Sequence, residues 1–487
     1  MADGPEIPDL EVDIPVPGGL HVTADKPYHI LVISDFAGSE AGTISGELQS
    51  SIVAVSAENF DSVMAAASPH VSYTTSDPLA SGDAMVEVDL RFDSLRAFDP
   101  GNLIGQIPAA RALKSVRDGI VERMDGKTSA AQLNAQLTEA VSSDPGLAWL
   151  AEAAKWSPAK PVADPGVVDS LLGQIDLDDS DDVDTSPPVR SPIGDAVAAA
   201  ARDGSTLPSE EVAALRRALR EIDRRLSLWL TAVLHDPKVQ GVESAWRSLA
   251  FLVKNVDFRK GLRLSLLHAP GGSIVDRLVS HVIDPVFDEG AEAPNLIVVD
   301  ASFSNSTADL ESLDELAQHA ASLPAVVLAG VSPGFFGVKH AWQMGTLPTI
   351  PNLFDQYQFA KWRSLRANPY ARSLGVVFGR GLLRACWAKA GGDDRQFAYE
   401  ERCISDRDFV WACGAIPAAV TVARSAATLG WPTMMSGYLH GRIEGFATAH
   451  GGKNGDKKFG PTDTILPETK IEELGSIGVN AAVGLQG

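Results

Sequence analysis

The amino-acid sequence predicts an α/β fold (α+β overall), in which two modules of mixed sheets flanked by helices are joined by an acidic, disordered linker. Apolar residues make up 45% of the 487 residues, which is enough to fill sizeable cores and excludes a wholly disordered chain. Strand and helix patterns alternate in the second half. At roughly 150 residues per domain, we place the modules at 1–160 and 206–487 and the linker at 161–205.

The first module is predicted to open with an unusual strand. Apolar residues alternate with polar or proline positions, but Pro15 and Pro17 lack the N–H group that a strand ladder needs. This pattern favours an edge strand, or a strand lent to a neighbouring chain, over a central strand. The apolar positions of this candidate strand are Leu10, Val12, Ile14 and Val16.

The rest of the first module is predicted to be a small sheet followed by helices. Tyr28–Ser34 has the apolar run of a buried strand, and we assign it to this small sheet. Apolar and polar residues alternate over 85–92, which indicates a strand with one solvent-exposed face and one buried face. Helical patterns occupy about 102–155.

The linker is dominated by negative charge. Residues 161–189 contain eight Asp and neither Lys nor Arg, so like charges repel and the segment should be extended. One short stretch has helical spacing, which is typical either of a plain linker turn or of a peptide presented to a partner. Its apolar positions are Val168, Leu171, Leu172 and Ile175.

The second module has the order of an α/β unit. An amphipathic helix is predicted over 210–233. Because strands that alternate with helices pair in parallel through right-handed crossovers, we expect a parallel sheet. The predicted strands are 262–267, 295–300, 325–329 and 374–378, with a helix at 308–322.

The charge and the cysteine content exclude several classes of function and location. Lys and Arg total 41 against 63 Asp and Glu, a net charge of −22, which argues against binding nucleic acid or an anionic membrane. No apolar run reaches the roughly 18 residues needed for membrane insertion, and the N-terminus lacks a signal-peptide pattern. Three cysteines without CxxC spacing indicate a reducing compartment. We therefore expect a cytoplasmic protein.

Catalytic motifs are weak. Residues 330–334 match GxSxG with Ser332 as the nucleophile, but the following Pro333 has no N–H to donate to an oxyanion. The ten histidines include no HExxH zinc motif. We predict that the protein is not an enzyme and has no cofactor or metal, and an α/β hydrolase-like enzyme is the alternative from another class.

The second module resembles the large sheath subunit of type VI secretion, the TssC or VipB family. The resemblance begins at Leu234–Pro237 and includes the segment Val242–Leu252, with Glu243, Trp246 and Arg247 at signature positions. Matching segments continue in order over about 230 residues. They are 332–337, 362–366, 397–401, 411–414, 430–433 and 460–463.

The first module resembles the small sheath subunit, the TssB or VipA family. The matching segments are 29–36, 58–64 and 90–100. The whole chain therefore resembles a natural fusion of the two polypeptides that form one sheath protomer. The large subunit normally continues beyond the point that corresponds to Gly487, so the resemblance implies a C-terminally shortened version.

The resemblance implies a structural function. Sheath subunits form rings or a helical tube around an inner tube, and contraction drives that tube outward. The implied partners are further copies of the chain, an Hcp-like inner tube protein, the baseplate and separate sheath subunits. A ClpV-like AAA+ ATPase would grip the helix at 168–175, and the strand at 10–16 would be exchanged between subunits. A non-contractile or accessory ring or cap is the alternative that the shortening suggests.

Overall fold

A computed structural model of the protein describes residues 27–38, 42–77, 79, 85–150, 207, 209–388, 397–433, 435, 441–451 and 457–484. The strands are β1 Tyr28–Ser34, β2 Gly42–Thr43, β3 Val53–Val55, β4 His70–Ser76, β5 Met85–Arg91, β6 Leu262–His268, β7 Leu296–Phe303, β8 Val326–Val331, β9 Leu374–Phe378, β10 Gly381–Leu382, β11 Trp411–Ala412, β12 Ala449–Gly451, β13 Lys457–Phe459 and β14 Val479–Ala481.

Thirteen α-helices are found in the part of the chain that the structure describes. They are α1 Phe60–Ala67, α2 Pro100–Gln106, α3 Pro108–Met124, α4 Ala130–Ser143, α5 Ser209–Leu234, α6 Pro237–Asn255, α7 Ile274–Leu278, α8 Asp284–Asp288, α9 Thr307–Ser322, α10 Ile350–Phe354, α11 Ala360–Ala367, α12 Ala415–Leu429 and α13 Glu468–Ser476. A π-helical turn, Val279–Ile283, joins α7 to α8. None of these helices is both long and apolar enough to cross a bilayer.

A seven-stranded sheet forms the centre of the molecule. Its order is β14-β9-β8-β7-β1-β6-β3, and every pair is parallel except the edge strand β3, which runs antiparallel to β6. The central strands are rich in Val, Ile and Leu, as expected for parallel strands that are covered on both faces.

Two hydrophobic layers cover the sheet. Side chains alternate along a strand, so Ile30 contributes to one layer and Leu31 to the other. The first layer includes buried residues of α1, α6 and α12, and it continues into the antiparallel β2-β4-β5 sheet and α2–α5. The second layer includes buried residues of α7, α9 and α11.

Most of the predicted elements are confirmed. The helix predicted over 210–233 is α5, and the helices predicted within 102–155 are α2, α3 and α4. The four strands predicted in the second module form as β6, β7, β8 and β9, all parallel. Burial alternates along β5 as predicted.

The position of β1 differs from the prediction. We assigned Tyr28–Ser34 to a small sheet of the first module, but the structure places it between β6 and β7 of the second. All seven of its residues are buried. A strand that is buried on both faces needs hydrophobic layers on both faces of its sheet. The large parallel sheet has two such layers. The candidate strand at 10–16 and the candidate helix at 168–175 lie outside the described residues.

Candidate functional site: the junction of the two parts

The junction is the region where the described residues up to 150, the N-terminal part, meet those from 207 onward, the C-terminal part. Strand β1 is its centre. It pairs with β6 from Tyr28↔Leu262 to Ser34↔His268, and with β7 from Ile30↔Leu296 to Ile33↔Val299. The N-terminal part thus supplies an inner strand of the C-terminal part's own sheet, and neither part completes that sheet alone.

Trp246 anchors helix α6 to the N-terminal part. Its side chain is fully buried, and its indole Nε1 donates to the backbone oxygen of Phe36 at 3.0 Å. The Trp246 ring lies 5.2 Å from the ring of Phe36 and 6.2 Å from that of Phe60, between ring centroids. The tryptophan of the sequence signature therefore has a direct packing role across the junction.

The backbone of α6 approaches the turn after β1 very closely. A Cβ on Gly241 would lie 2.2 Å from the backbone oxygen of Gly38, and a Cβ on Gly38 would lie 2.3 Å from the backbone nitrogen of Val242. Gly38 also has a φ of +80°, which disfavours other residues. Two facing glycines therefore set the distance between the parts at this point.

Ion pairs join the helices on either side of the junction. Arg117 of α3 is 1% exposed, and its Nε donates to Asp223 of α5 at 2.7 Å. Arg123 of α3 pairs with Glu211 of α5 at 2.9 Å. Since α3 belongs to the N-terminal part and α5 to the C-terminal part, these contacts fix the register of the two helices.

Two buried histidines lie on the paired strands. His29 on β1 contacts the hydroxyl of Ser265 on β6, with 3.0 Å between Nε2 and Oγ. His268, at the end of β6, accepts a hydrogen bond on Nδ1 from the backbone N–H of Phe36. Burial, with a contribution from a nearby arginine, lowers the pKa of each histidine to about 4, so both are neutral at pH 7.

A buried charge network supports α6 from the other side. Arg384 donates from Nε to Glu243 at 2.7 Å and from Nη1 to Glu401 at 2.6 Å. Arg247 also donates to Glu243, at 2.7 Å. Burial would raise the pKa of Glu401, but hydrogen bonding from His235 and the charge of Arg384 outweigh it and hold the pKa at about 2. The signature residues Glu243 and Arg247 thus belong to a structural network.

A cleft of about 340 Å³ opens at the carboxyl ends of β1 and β7, where α/β proteins often bind ligands. The Ser34 hydroxyl donates to Asp300 at 3.2 Å, and burial raises the pKa of Asp300 to about 6. No histidine is among the described residues that line the cleft, so it does not assemble a serine–histidine–acid triad.

Ser332 lies in a loop after β8 and does not form the nucleophile turn of a GxSxG hydrolase. Its backbone is extended, with φ −83° and ψ 166°, and its hydroxyl donates to the backbone oxygen of Phe303 at 3.3 Å. It does not line the cleft. The GxSxG match is therefore accounted for as the loop that follows β8 and leads into a 3₁₀ turn at Pro333–Phe336.

Sequence reasoning missed the junction as a site. The available signal was the mainly apolar run of β1 together with the Glu-x-x-Trp-Arg signature of α6. A sequence pattern, however, does not say which strand an apolar run will pair with. The candidate segments at 10–16 and 168–175 are not among the described residues, so their roles stay predictions.

The chain matches two protein-family models and one curated protein. Residues 216–486 match the family EvpB/VC_A0108, tail sheath N-terminal domain (VipB), and residues 14–155 match the family Type VI secretion system, VipA, VC_A0107 or Hcp2. The type VI secretion system sheath protein TssC1 of Pseudomonas aeruginosa is 25% identical over 296 residues, which cover 56% of this chain and 59% of that protein.

The matched ranges coincide with the two sides of the junction. The VipA match contains β1, β3 and the helices up to α4, and the VipB match contains the other five strands of the central sheet, β6, β7, β8, β9 and β14. The predicted resemblance to a fusion of the two subunits is confirmed. The chain belongs to the EvpB/VC_A0108 tail sheath family and carries a VipA-type part ahead of its sheath domain.

Proposed function

We propose that the protein is a single-chain structural protomer of a type VI secretion sheath and acts by associating with further copies of itself. The observation that carries this proposal is the place of β1 between β6 and β7. A VipA-type strand inside a VipB-type sheet makes the two parts one folded unit. The fusion would therefore deliver both parts of a protomer in equal numbers, already joined.

We further propose that the protein makes and breaks no covalent bonds as part of this function. Membership of a structural protein family supports this, as does the arrangement around Ser332 and in the cleft. The free energy for any movement would then come from contacts between protomers. Contraction around an Hcp-like tube, attachment to a baseplate and residence in the cytoplasm belong to the same proposal.

An accessory ring or cap is the second candidate. The C-terminal part matches a sheath domain, and an accessory component would share that domain with the main sheath protein. An accessory component would assemble next to separate sheath subunits, whereas a main sheath protein would assemble without them.

Electron microscopy of the purified full-length chain, alone and mixed with an Hcp-like tube protein, tests the proposal. We expect rings, tubes or filaments. Long tubes of this chain alone favour the main sheath, and short rings that require added separate sheath subunits favour the accessory component. A monodisperse monomer at high concentration with the tube protein and separate subunits present would contradict both.

The two segments outside the described residues are tested separately. Replacing Val168, Leu171, Leu172 and Ile175 with Ser should abolish pull-down by a ClpV-like ATPase and leave assembly intact. Replacing Leu10, Val12, Ile14 and Val16 with Ser should instead block assembly, because an exchanged strand needs its apolar side chains to dock. Unchanged ATPase binding or unchanged assembly, respectively, would overturn the assigned role.

A further inference from the structure

Two cysteines of the C-terminal part are in direct contact. The Sγ atoms of Cys386 and Cys403 lie 2.7 Å apart. Cys403 is buried and Cys386 is half-buried, so Cys386 is the more exposed residue of the pair. The backbone holds them together, because the N–H of Glu401 donates to the oxygen of Trp387 at 2.8 Å. The contact is therefore fixed by the fold around it.

The two thiols have different acidity. Hydrogen bonding to Cys403 lowers the pKa of Cys386, and the positive charge of Arg384 acts in the same direction. The same hydrogen bond, together with burial, raises the pKa of Cys403. Because the thiolate is the reactive form of cysteine, Cys386 is suited to attack first and Cys403 to resolve the product.

We propose that Cys386 and Cys403 are a redox modification site that closes to an intramolecular disulfide. A disulfide bond is about 2.05 Å long, so the sulfurs need to approach by less than about 1 Å from their present contact. Cys413 is excluded from the pair, because it is buried against the central sheet, 3.8 Å from the backbone oxygen of Val299.

The oxidant is a low-molecular-weight disulfide such as oxidised glutathione. The Cys386 thiolate attacks one of its sulfurs, forms a mixed disulfide and releases one glutathione thiolate. Cys403 then loses its proton and attacks the Cys386 sulfur, which releases the second glutathione. Two protein thiols are oxidised, and one oxidised glutathione is reduced to two thiols.

A metal site is the competing interpretation of the same cluster. Three side chains, His235, Glu401 and Cys403, each offer one ligand atom, and these atoms all lie within 4.8 Å of one another. However, Arg384 donates to both oxygens of Glu401, at 2.6 and 3.1 Å, and its positive charge opposes a cation at this place. The geometry therefore favours the disulfide.

Thiol counting on the full-length folded chain tests the proposal. After treatment with excess oxidised glutathione, removal of the reagent and denaturation without reductant, we expect the number of free thiols to fall from three to one. Mass spectrometry of a non-reduced digest should show the peptide of Cys386 linked to that of Cys403. Dithiothreitol should restore all three thiols.

Single variants separate the roles of the two sulfurs. Cys403→Ser should trap a glutathione adduct on Cys386, and Cys386→Ser should acquire no adduct, because Cys403 is buried. Cys413→Ser is the matched control, and it should still lose two thiols. The disulfide proposal is independent of sheath assembly, so neither result bears on the other.

Four outcomes would overturn the proposal. The first is that all three thiols remain after treatment of the folded chain. The second and third are a disulfide that includes Cys413 and a disulfide between two chains. The fourth is that the untreated chain binds one equivalent of Zn²⁺ and both cysteines lose their reactivity. The last result would assign the cluster to a metal instead.

Discussion

Glu243, Trp246 and Arg247, the three signature residues of α6, each make a structural contact. They lie within one and a half turns of α6, and Trp246 faces the N-terminal part while Glu243 meets Arg384. Glu243 is fully buried, and only one of its two oxygens has a hydrogen-bond partner among the described residues. Its charge therefore depends on the two arginines that reach it.

Arg384→Met should destabilise the protein strongly. The substitution removes the guanidinium that lies between Glu401 and Glu243, and the loss of one partner of a buried ion pair costs about 3–5 kcal/mol. Urea unfolding followed by tryptophan fluorescence measures the loss. Arg259→Met is the control, since that side chain is 91% exposed and its removal should change the free energy of unfolding by no more than about 0.5 kcal/mol. Equal effects would contradict a supporting role for Arg384.

His29 should make the junction sensitive to mild acid. The unfolded histidine takes up a proton below its ordinary pKa of about 6.5, and the folded one resists protonation until about pH 4. The free energy of unfolding therefore falls as the pH drops from 6.5 to 4, by up to about 3 kcal/mol from this residue.

The variant His29→Gln should show a shallower loss of stability over that range. Denaturant unfolding at pH 7, 6, 5 and 4 gives the slope. Ser265→Ala is the matched control, because it removes the hydrogen bond to His29 but keeps the titrating ring, so it should retain the slope of the original chain. A His29→Gln slope identical to that of Ser265→Ala would refute this assignment.

At the scale of elements, the close approach of α6 to the turn after β1 decides how the two parts fit. Gly241 lies inside a helix, where alanine normally stabilises by about 1 kcal/mol relative to glycine. The helix nevertheless has glycine at this position, where a Cβ would meet the backbone of Gly38. Tertiary packing has overridden helix propensity at this position.

Gly241→Ala should therefore lower the free energy of unfolding by about 1–3 kcal/mol, as overpacking does in well-packed cores. Gly475→Ala in α13 is the control, because a Cβ there meets nothing within 4 Å and should leave stability unchanged or improved. Thermal and urea unfolding of both variants measure these changes in stability. An increase in stability for Gly241→Ala would mean that the two parts separate easily at this point.

At the scale of the whole molecule, the two parts should stay together without a covalent connection. We expect a chain with a protease site inserted in residues 161–205 to remain one species on gel filtration after complete cleavage. The reason is that β1 is hydrogen-bonded to β6 and β7 on its two edges and buried on both faces. The fragments should separate only in denaturant. Separation in native buffer would mean that the linker, and not the sheet, holds the parts together.

Local patterns predicted the elements well because they depend on neighbouring residues. The apolar spacing along α5 and the alternation along β5 are both reproduced by the observed burial. The pairing of β1 could not be predicted in this way, because it joins residues more than 200 positions apart in sequence. The pairing Tyr28↔Leu262 could not be inferred from either segment alone.

The sequence by itself determined the α/β class, the family and most of the helices and strands, since periodicity and signature residues are local properties of the chain. Only the tertiary structure decided that the two parts share one sheet, that the signature residues of α6 meet the N-terminal part and Arg384, and that Cys386 lies against Cys403. These contacts arise when distant segments are packed together. Their partners are selected by shape and burial, which no single stretch of sequence contains.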